Sequence, residues 1–222
     1  MNRIDLDWDN IDTVCLDMDG TLLDLHFDNH FWLKYIPQIY ADDNQISLEQ
    51  SKQKLFPKME AVKGKLEWYC LDFWSKELGL NIARHKAEIA HLITPRDGAI
   101  EFLNFVKQSG KQQLLVTNAH RDSLDLKIAT IDIKQYFHHL ISSHDYGMAK
   151  EHPDFWQKLQ LHHPIDFSRT LFIDDSNNVL EAAQKAGIKY VLDIAKPDSK
   201  KPNKPSSSFP QLHHFSDIMN YA

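Results

Sequence analysis

Short apolar runs alternate along most of the chain with longer stretches in which apolar residues recur every three or four positions. The short runs, at 13–16, 113–116, 139–141, 170–173 and 189–192, are typical of buried strands. The longer stretches, at 99–109, 121–130, 152–161 and 176–186, are typical of helices, and Pro153 suits the first turn of the third one. Strands that alternate with helices of this length predict an α/β fold with a doubly wound parallel sheet.

One segment breaks this alternation. Between residues 25 and 94, helical patterns follow one another at 31–40, 47–59, 66–78 and 82–93, with no convincing strand among them. We therefore expect a helical insertion (residues 25–94) after the first strand, and a core built from residues 1–24 and 95–222. Turn-forming residues at 94–98 mark the exit from the helical insertion, and a loop rich in Pro, Ser and Lys at 196–210 precedes a short final helix.

Composition indicates a globular protein. Of the 222 residues, 42% are hydrophobic, which is enough for a packed core, and the formal charge of −6 argues against general nucleic-acid binding. No apolar run of about 18 residues and no signal-peptide core occur, so we expect neither a membrane span nor export. The cysteines, Cys15 and Cys70, form no C-x-x-C pair, which favours a reducing, cytoplasmic location. No feature indicates an obligate protein partner.

Polar residues with catalytic potential stand where the predicted strands end. In a parallel α/β sheet, ligands bind outside the carboxyl ends of the strands. These positions hold, in chain order, Asp17 and Asp19, Thr117 and Asn118, Lys150, and Asp174 and Asp175. Carboxylates, a hydroxyl, an amide and an ammonium group are thus predicted to meet at one edge of the sheet.

Asp17 and Asp19 lie two residues apart, a spacing that directs side chains to the same side at a strand end. One carboxylate could attack a phosphorus atom, while the other protonates the leaving oxygen and later takes a proton from water. Gly20 allows the backbone to turn tightly beside the bound group. The alternative interpretation is that Asp19 and Gly20 form an ordinary turn.

Asp174 and Asp175 place adjacent like charges at the mouth of the same sheet, which is unfavourable unless a cation lies nearby. Mg²⁺ is the natural cation, because it takes one or two carboxylates and bridges phosphate oxygens. Alternatively, Asp175 and Ser176 cap the helix that follows, as Thr117 and Asn118 could also do for theirs. Lys150, taken alone, could be a solvated surface lysine.

The 13 histidines do not indicate a metal site. None lies in an H-E-x-x-H motif, and none combines with cysteines at the spacing of a zinc cluster. Three pairs, at 138–139, 162–163 and 213–214, are simply adjacent in sequence. We therefore expect no metal site built from histidines.

Taken together, the motifs D-M-D-G-T (17–21), V-T-N (116–118), Lys150 and F-I-D-D (172–175) resemble those of the haloacid dehalogenase (HAD) superfamily. The helical insertion resembles the C1-type cap of that superfamily, and the resemblance covers nearly the whole chain. It implies a Rossmann-like core that carries the cap.

The resemblance also implies a role for each motif residue. Asp17 would be the nucleophile and Asp19 the general acid/base. Mg²⁺ would be bound by Asp17, Asp174 and the backbone carbonyl of Asp19. The residues implied to hold the phosphoryl group are Thr117, Asn118 and Lys150. Because the dehalogenase branch lacks the carboxylate found here at Asp19, the pattern favours a phosphatase.

Residues 22–32, 68–74 and 117–120 are further similar to bacterial purine 5′-nucleotidases that act on GMP and IMP. This similarity implies a small-molecule phosphomonoester as the substrate. Trp68, Phe73 and Trp74 offer an aromatic surface to a purine, although Tyr69, Cys70 and Phe73 also fit one helical face, which favours packing within the insertion. The alternatives are a sugar-phosphate phosphatase or phosphomutase, and a catalytically silent HAD-fold binding module, which the complete motif set disfavours.

Overall fold

The protein is built on one six-stranded parallel sheet, seen in a computed structural model that describes residues 4–219. Residues 1–3 of the polar N-terminal segment lie outside it. The strands are β1 (Thr13–Leu16), β2 (Gln112–Thr117), β3 (His139–Ser142), β4 (Thr170–Asp174), β5 (Tyr190–Ile194) and β6 (Gln211–Leu212). Their order is β3-β2-β1-β4-β5-β6, and each neighbouring pair is parallel. This order confirms the predicted doubly wound, Rossmann-like sheet.

Helices fill the connections between the strands. Within residues 4–219 they are α1 (His26–His30), α2 (Ile36–Asn44), α3 (Leu48–Val62), α4 (Leu66–Tyr69), α5 (Leu71–Leu78), α6 (Ile82–Glu88), α7 (Ala99–Gln108), α8 (Arg121–Ile131), α9 (Phe155–His162) and α10 (Asn177–Lys185). The predicted helix 152–161 begins later, at Phe155, and Pro153 lies in the turn before it.

Both faces of the sheet are covered by apolar clusters. Alternate residues of a strand point in opposite directions, so successive residues join different clusters. In β1, Val14 and Leu16 join the apolar cluster on one face, and Cys15 joins the cluster on the other. The first cluster continues into the helical insertion through Phe27 and Trp74. The insertion therefore shares its apolar core with the sheet.

Three of the helical patterns in the insertion are interrupted. The predicted helix 82–93 ends as an α-helix at Glu88 and is followed by a 3₁₀ turn, Ala90–Leu92. The predicted helix 66–78 divides at Cys70, whose extended backbone ends α4 and whose sulfur accepts a hydrogen bond from the Phe73 N–H at the start of α5. The predicted helix 31–40 begins with a π-helical segment, Phe31–Tyr35, before α2. Such segments often occur at functional sites, because they turn side chains out of the regular helical register.

The helical insertion leaves and rejoins the core at adjacent points. The Asp24 N–H donates to the Thr94 carbonyl at 2.9 Å, and the Arg96 N–H donates to the Leu22 carbonyl at the same distance. The loop at 196–210, predicted only as exposed, covers this junction: the Pro197 carbonyl accepts from the N–H of Leu25. The entry to the insertion is therefore held by backbone contacts from two directions.

The end of the chain differs from the prediction. A two-residue strand, β6, follows the loop and adds an edge to the sheet beside β5. The expected final helix is a single 3₁₀ turn, Phe215–Asp217. Two residues are too few to show a strand period, so the sequence pattern could not reveal β6. Within residues 4–219, no helix has both the length and the apolar character needed to cross a membrane.

Candidate active site

The predicted strand-end residues converge where β1 lies beside β4. Leu16 pairs with Ile173 in the sheet, so Asp17 and Asp174 emerge from neighbouring strand ends. The Lys150 ammonium donates to Asp17 Oδ1 at 2.6 Å and to Asp174 Oδ2 at 2.7 Å, and a third bond to the Val116 carbonyl holds it at 2.9 Å. All three side chains are buried. Lys150 is thus the centre of an ion-pair triad rather than a solvated lysine.

This triad has more negative than positive charge. Carboxylate oxygens of Asp17, Asp174 and Asp175 all lie within 4.8 Å of one another, and Lys150 bonds two of these residues. Burial raises the pKa of Asp17 to about 6, even though Lys150 opposes the shift, and burial likewise raises the pKa of Asp174. A cluster of oxygen donors short of positive charge suits a hard divalent cation, so these residues fit the Mg²⁺ ion that the family implies.

The tight turn after β1 explains the glycine in the first motif. Gly20 has φ +86°, a conformation that disfavours residues with a side chain. A Cβ at this position would come within 2.5 Å of Asp175 Oδ2. Arg96 stabilises the same turn by donating to the Gly20 carbonyl at 3.1 Å. Glycine therefore lets the first motif approach the acidic pair after β4.

Asp19 pairs with a lysine that sequence reasoning did not single out. Lys127, in α8, donates to Asp19 Oδ1 and to Asp28 Oδ2, each at 2.6 Å. Lys86, in α6, donates to the other oxygen of Asp28 at 2.5 Å. An ionic chain thus runs from the helical insertion, through Lys86 and Asp28, to Lys127 and Asp19 in the core. We call these four residues the Lys86–Asp19 chain.

The electrostatics of the Lys86–Asp19 chain differ at its two ends. Burial raises the pKa of Asp19 to about 6, and Lys127 opposes this shift. Burial acts in the same direction on Asp28, but Lys127 and Lys86 outweigh it and lower the pKa of that carboxyl. Asp28 is therefore held as an anion, whereas Asp19 can change its protonation state near neutral pH.

One signal could have revealed Lys127 in the sequence. It lies three residues after Leu124 and one before Ile128, on the buried face of α8. A lysine at an apolar position of an amphipathic helix calls for a buried partner, because an unpaired charge there is costly. The sequence shows no comparable sign for Asp28.

Thr117 and Asn118 line the same cavity as Asp17, but their polar groups are partly engaged. The Thr117 hydroxyl oxygen accepts from the Ala119 N–H at 3.1 Å, which leaves its hydrogen free. The Asn118 side chain accepts from the Lys150 N–H at 2.8 Å and donates to Glu151 at 2.9 Å. Asn118 therefore also positions the backbone that carries Lys150.

Glu151 connects this region to the helical insertion. Its second carboxylate oxygen accepts from the Tyr69 hydroxyl at 2.7 Å. Burial and the adjacent Glu151 carboxylate raise the pKa of Tyr69, so the phenol remains a hydrogen-bond donor. Glu151 is absent from the sequence predictions, and Tyr69 enters them only within the aromatic segment 68–74 and as part of a helical face that packs inside the insertion. The contact itself joins positions far apart in sequence and so leaves no local signal.

A cavity of about 320 Å³ opens above the carboxylates. Its floor includes Asp17, Thr117 and Lys150. The opposite wall comes from the helical insertion and is largely apolar, with Leu25, Trp32, Leu33, Met59, Trp68, Tyr69 and Leu71. The site can therefore hold an anionic group at its floor and an apolar ring at its wall.

The aromatic residues of the insertion divide into two groups. Trp68 and Trp32 line the cavity. Trp74 is fully buried, and its indole N–H donates to the Trp68 carbonyl at 3.0 Å. Phe73 packs edge-on against Trp74, with ring centroids 5.0 Å apart. Of the aromatic surface considered from the sequence, Trp68 faces the cavity, whereas Trp74 supports the fold.

Comparisons with known proteins establish the family of this chain. The family profile of the haloacid dehalogenase-like hydrolases matches residues 11–187. The GMP/IMP nucleotidase YrfG of Escherichia coli K12 is 38% identical over 213 residues, 96% of each chain. The pyrophosphatase PpaX of Bacillus mycoides is 25% identical over 190 residues, 82% of each chain. The fold of a HAD phosphatase from Thermococcus onnurineus superposes with a TM-score of 0.78 at 16% identity, covering 93% of this chain and 95% of that one. The chain belongs to the haloacid dehalogenase-like hydrolase family and is an enzyme of its phosphatase type.

Proposed function

We propose that the protein is a Mg²⁺-dependent phosphomonoesterase that acts through an aspartyl-phosphate and hydrolyses purine nucleoside 5′-monophosphates, GMP and IMP in particular. The observation that carries the chemistry is the buried pair of Asp17 and Asp174, joined by Lys150 at the floor of a cavity. We further propose that residues 25–94 act as the cap over this cavity, and that residues 1–24 and 95–222 form the catalytic core.

In the first half of the reaction, the Asp17 carboxylate attacks phosphorus. A bond forms between a carboxylate oxygen and phosphorus, and the bond from phosphorus to the leaving oxygen breaks. The Asp19 carboxyl donates its proton to that oxygen, so the nucleoside departs as an alcohol. A pKa of about 6, raised by burial against the pull of Lys127, makes Asp19 a suitable acid near neutral pH.

In the second half, water attacks phosphorus. Asp19, now a carboxylate, accepts a proton from the water, and the acyl-phosphate bond breaks to regenerate Asp17 and release inorganic phosphate. Lys150 stays charged throughout, since Asp17 and Asp174 raise its pKa despite its burial. It can therefore offset charge on the phosphoryl oxygens, to which the Thr117 hydroxyl can donate.

The residues suited to hold Mg²⁺ are Asp17, Asp174 and Asp175, together with the backbone carbonyl of Asp19 that the family resemblance implies. When bound, the ion would offset the charge of these carboxylates and of the phosphoryl group. Without it, the carboxylates and an incoming phosphate repel one another.

The choice of a purine nucleotide rests on two observations. The E. coli relative, a GMP/IMP nucleotidase, matches almost the full length of this chain. The cavity wall formed by Trp32 and Trp68 provides flat apolar surface on which a purine base can stack. The cavity volume also lies within the range of about 300–1,000 Å³ usual for small-molecule sites.

The test is a screen of phosphate release from GMP, IMP, AMP and a hexose phosphate, with Mg²⁺ and after exhaustive chelation. We expect the highest kcat/KM for GMP and IMP, and activity only with the metal. Better hydrolysis of the hexose phosphate than of any purine nucleotide would refute the substrate assignment and favour a sugar-phosphate phosphatase. Absence of phosphate release from all four substrates would refute the proposed chemistry.

A further inference from the structure

A second group of potential metal ligands is separate from the carboxylate cluster. Cys70, His120 and His144 each offer one ligand atom, and these atoms lie within 4.8 Å of one another. Cys70 belongs to the helical insertion, between α4 and α5, whereas His120 precedes α8 and His144 lies in the turn after β3. Three donors from distant parts of the sequence thus meet where the insertion faces the core.

His144 is in the state that a metal ligand requires. Its Nε2 is buried and has no hydrogen-bond partner among residues 4–219, which is unfavourable for a polar atom. An unpartnered imidazole nitrogen in this position can bind a metal ion.

The other two donors are positioned by short contacts. The rings of His120 and His144 meet edge to face, with centroids 5.0 Å apart. His120 Nε2 lies 3.6 Å from an Asp72 carboxylate oxygen. The Cys70 sulfur is held at the start of α5 by the Phe73 N–H. His120 Nδ1 also accepts from the Asp122 N–H at 3.4 Å, which leaves Nε2 as its ligand atom. These contacts restrict the movement of both groups.

We propose that Cys70, His120 and His144 form a Zn²⁺ site that joins the helical insertion to the core. One thiolate and two imidazoles are ligands that Zn²⁺ accepts readily and Mg²⁺ does not. In a tetrahedral zinc site the ligand atoms lie about 3.3–3.8 Å apart, so an approach of roughly an ångström, within the reach of side-chain rotation, completes the geometry. A water molecule or Asp72 can supply the fourth ligand. Sequence spacing predicted no such site, because its members are remote in the chain.

Bound Zn²⁺ would affect the reaction through the insertion; this consequence rests on the proposed function. His120 lines the active-site cavity and Cys70 directly follows Tyr69, which contacts Glu151. A metal that links them fixes the insertion against the core at the edge of the cavity. Steps that need the insertion to move, such as product release, would then slow and lower kcat.

The first test measures binding and does not depend on activity. Protein freed of Zn²⁺ is kept in excess Mg²⁺, so that the carboxylate cluster is occupied. It is titrated with Zn²⁺ in competition with a chromophoric chelator. In a parallel titration with Co²⁺, the thiolate-to-cobalt absorption band is recorded. We expect one Zn²⁺ per chain and a cobalt band that requires Cys70. Cys70→Ser and His144→Gln should each weaken Zn²⁺ binding by at least about tenfold, and Cys70→Ser should abolish the band. Serine also preserves the cap of α5.

The matched control is His91→Gln, an exposed histidine of the same insertion, which should bind Zn²⁺ as the wild type does. Circular dichroism establishes that each variant is folded. Equal Zn²⁺ affinity in the wild type and in folded Cys70→Ser, or a cobalt spectrum without the thiolate band, overturns the proposal. The kinetic consequence is tested separately: Zn²⁺ should reduce kcat of the wild type far more than that of Cys70→Ser, whose metal-free activity is unchanged. Equal inhibition of both proteins would refute the proposed effect of this Zn²⁺ site on kcat, and the binding result would be unaffected.

Discussion

Replacing Lys127 with methionine should destabilise the protein strongly, because this buried lysine is paired with two largely buried carboxylates, those of Asp19 and Asp28. Its side chain is 1% exposed, and those of Asp19 and Asp28 are 21% and 17% exposed. Removing one partner of a buried ion pair costs about 3–5 kcal/mol, since the remaining charge is left without compensation. Asp28 keeps Lys86, so the stranded charge is mainly that of Asp19.

Protonation of Asp19 limits the loss. Its pKa, already raised to about 6 by burial, rises further when Lys127 no longer opposes the shift. The cost of Lys127→Met therefore falls near about 3 kcal/mol at pH 7, which corresponds to a melting temperature lower by about 6–12 °C in a chain of this size. A carboxyl whose pKa is higher in the folded than in the unfolded protein favours folding most when pH is below the unfolded-state pKa, and this contribution is lost as pH rises through the folded-state pKa. Because the pKa of Asp19 is higher in the variant than in the wild type, the variant's loss of stability grows between pH 5 and pH 7.5.

The assay is thermal unfolding followed by circular dichroism, at both pH values, without divalent metal. Asp19→Asn in the Lys127→Met background removes the stranded carboxylate and should recover at least half of the loss. Lys158→Met, at an exposed position of α9, should match the wild type. If Lys127→Met unfolds within about 1 kcal/mol of the wild type, or if its loss is the same at both pH values and in the Asp19→Asn background, the electrostatic reasoning is wrong.

Three further predictions concern the cavity. Asp17→Asn should abolish phosphate release with the fold intact, because an amide cannot attack as an anion; folded variant with near wild-type turnover would exclude Asp17 as the nucleophile. Mg²⁺ should raise the melting temperature more at pH 7.5 than at pH 5, because burial raises the pKa of Asp17 to about 6 and protons compete with the metal below that value; an equal rise at both pH values would contradict this. Trp68→Leu should change the ratio of kcat/KM for GMP to kcat/KM for hexose phosphate while stability stays near that of the wild type; an unchanged ratio would show that Trp68 does not contact the substrate. Trp74→Ala should lower the free energy of unfolding by about 3–5 kcal/mol; a wild-type melting temperature would show that Trp74 does not support the fold.

Local sequence pattern was enough to predict five of the six strands and the polar residues at their carboxyl ends. Strands buried on both faces form continuous apolar runs, and each run ends where the polar chemistry begins, as at Asp17 and Asp174. The parallel arrangement then brings these ends together without further information. The residues predicted for the site therefore meet because of topology.

The remaining contacts depend on how the helical insertion packs, which the pattern does not specify. Lys86 resembles a solvated lysine in sequence, yet it is buried. The position of Lys127 on an apolar helix face indicates burial, but the sequence does not indicate that its partners are Asp19 and Asp28. The helix breaks at Cys70 because its backbone is extended, and no glycine or proline at this position indicates the break in the sequence. The loop at 196–210 had no predicted role, although the Ser199 N–H donates to Asp24 at the entry to the insertion.

The paired backbone at residues 22–24 and 94–96 has an evolutionary consequence. The two ends of the helical insertion lie side by side and are joined by backbone hydrogen bonds. The geometry at the sheet is therefore the same whatever the length of the chain between these ends. Insertions, deletions or wholesale replacement between these ends leave the pairing of β1 with β2 and β4 undisturbed. The segment between these ends can therefore diverge in length and sequence without a change in strand pairing, provided that the buried charges of Lys127 and Asp19 stay balanced when Asp28 is replaced.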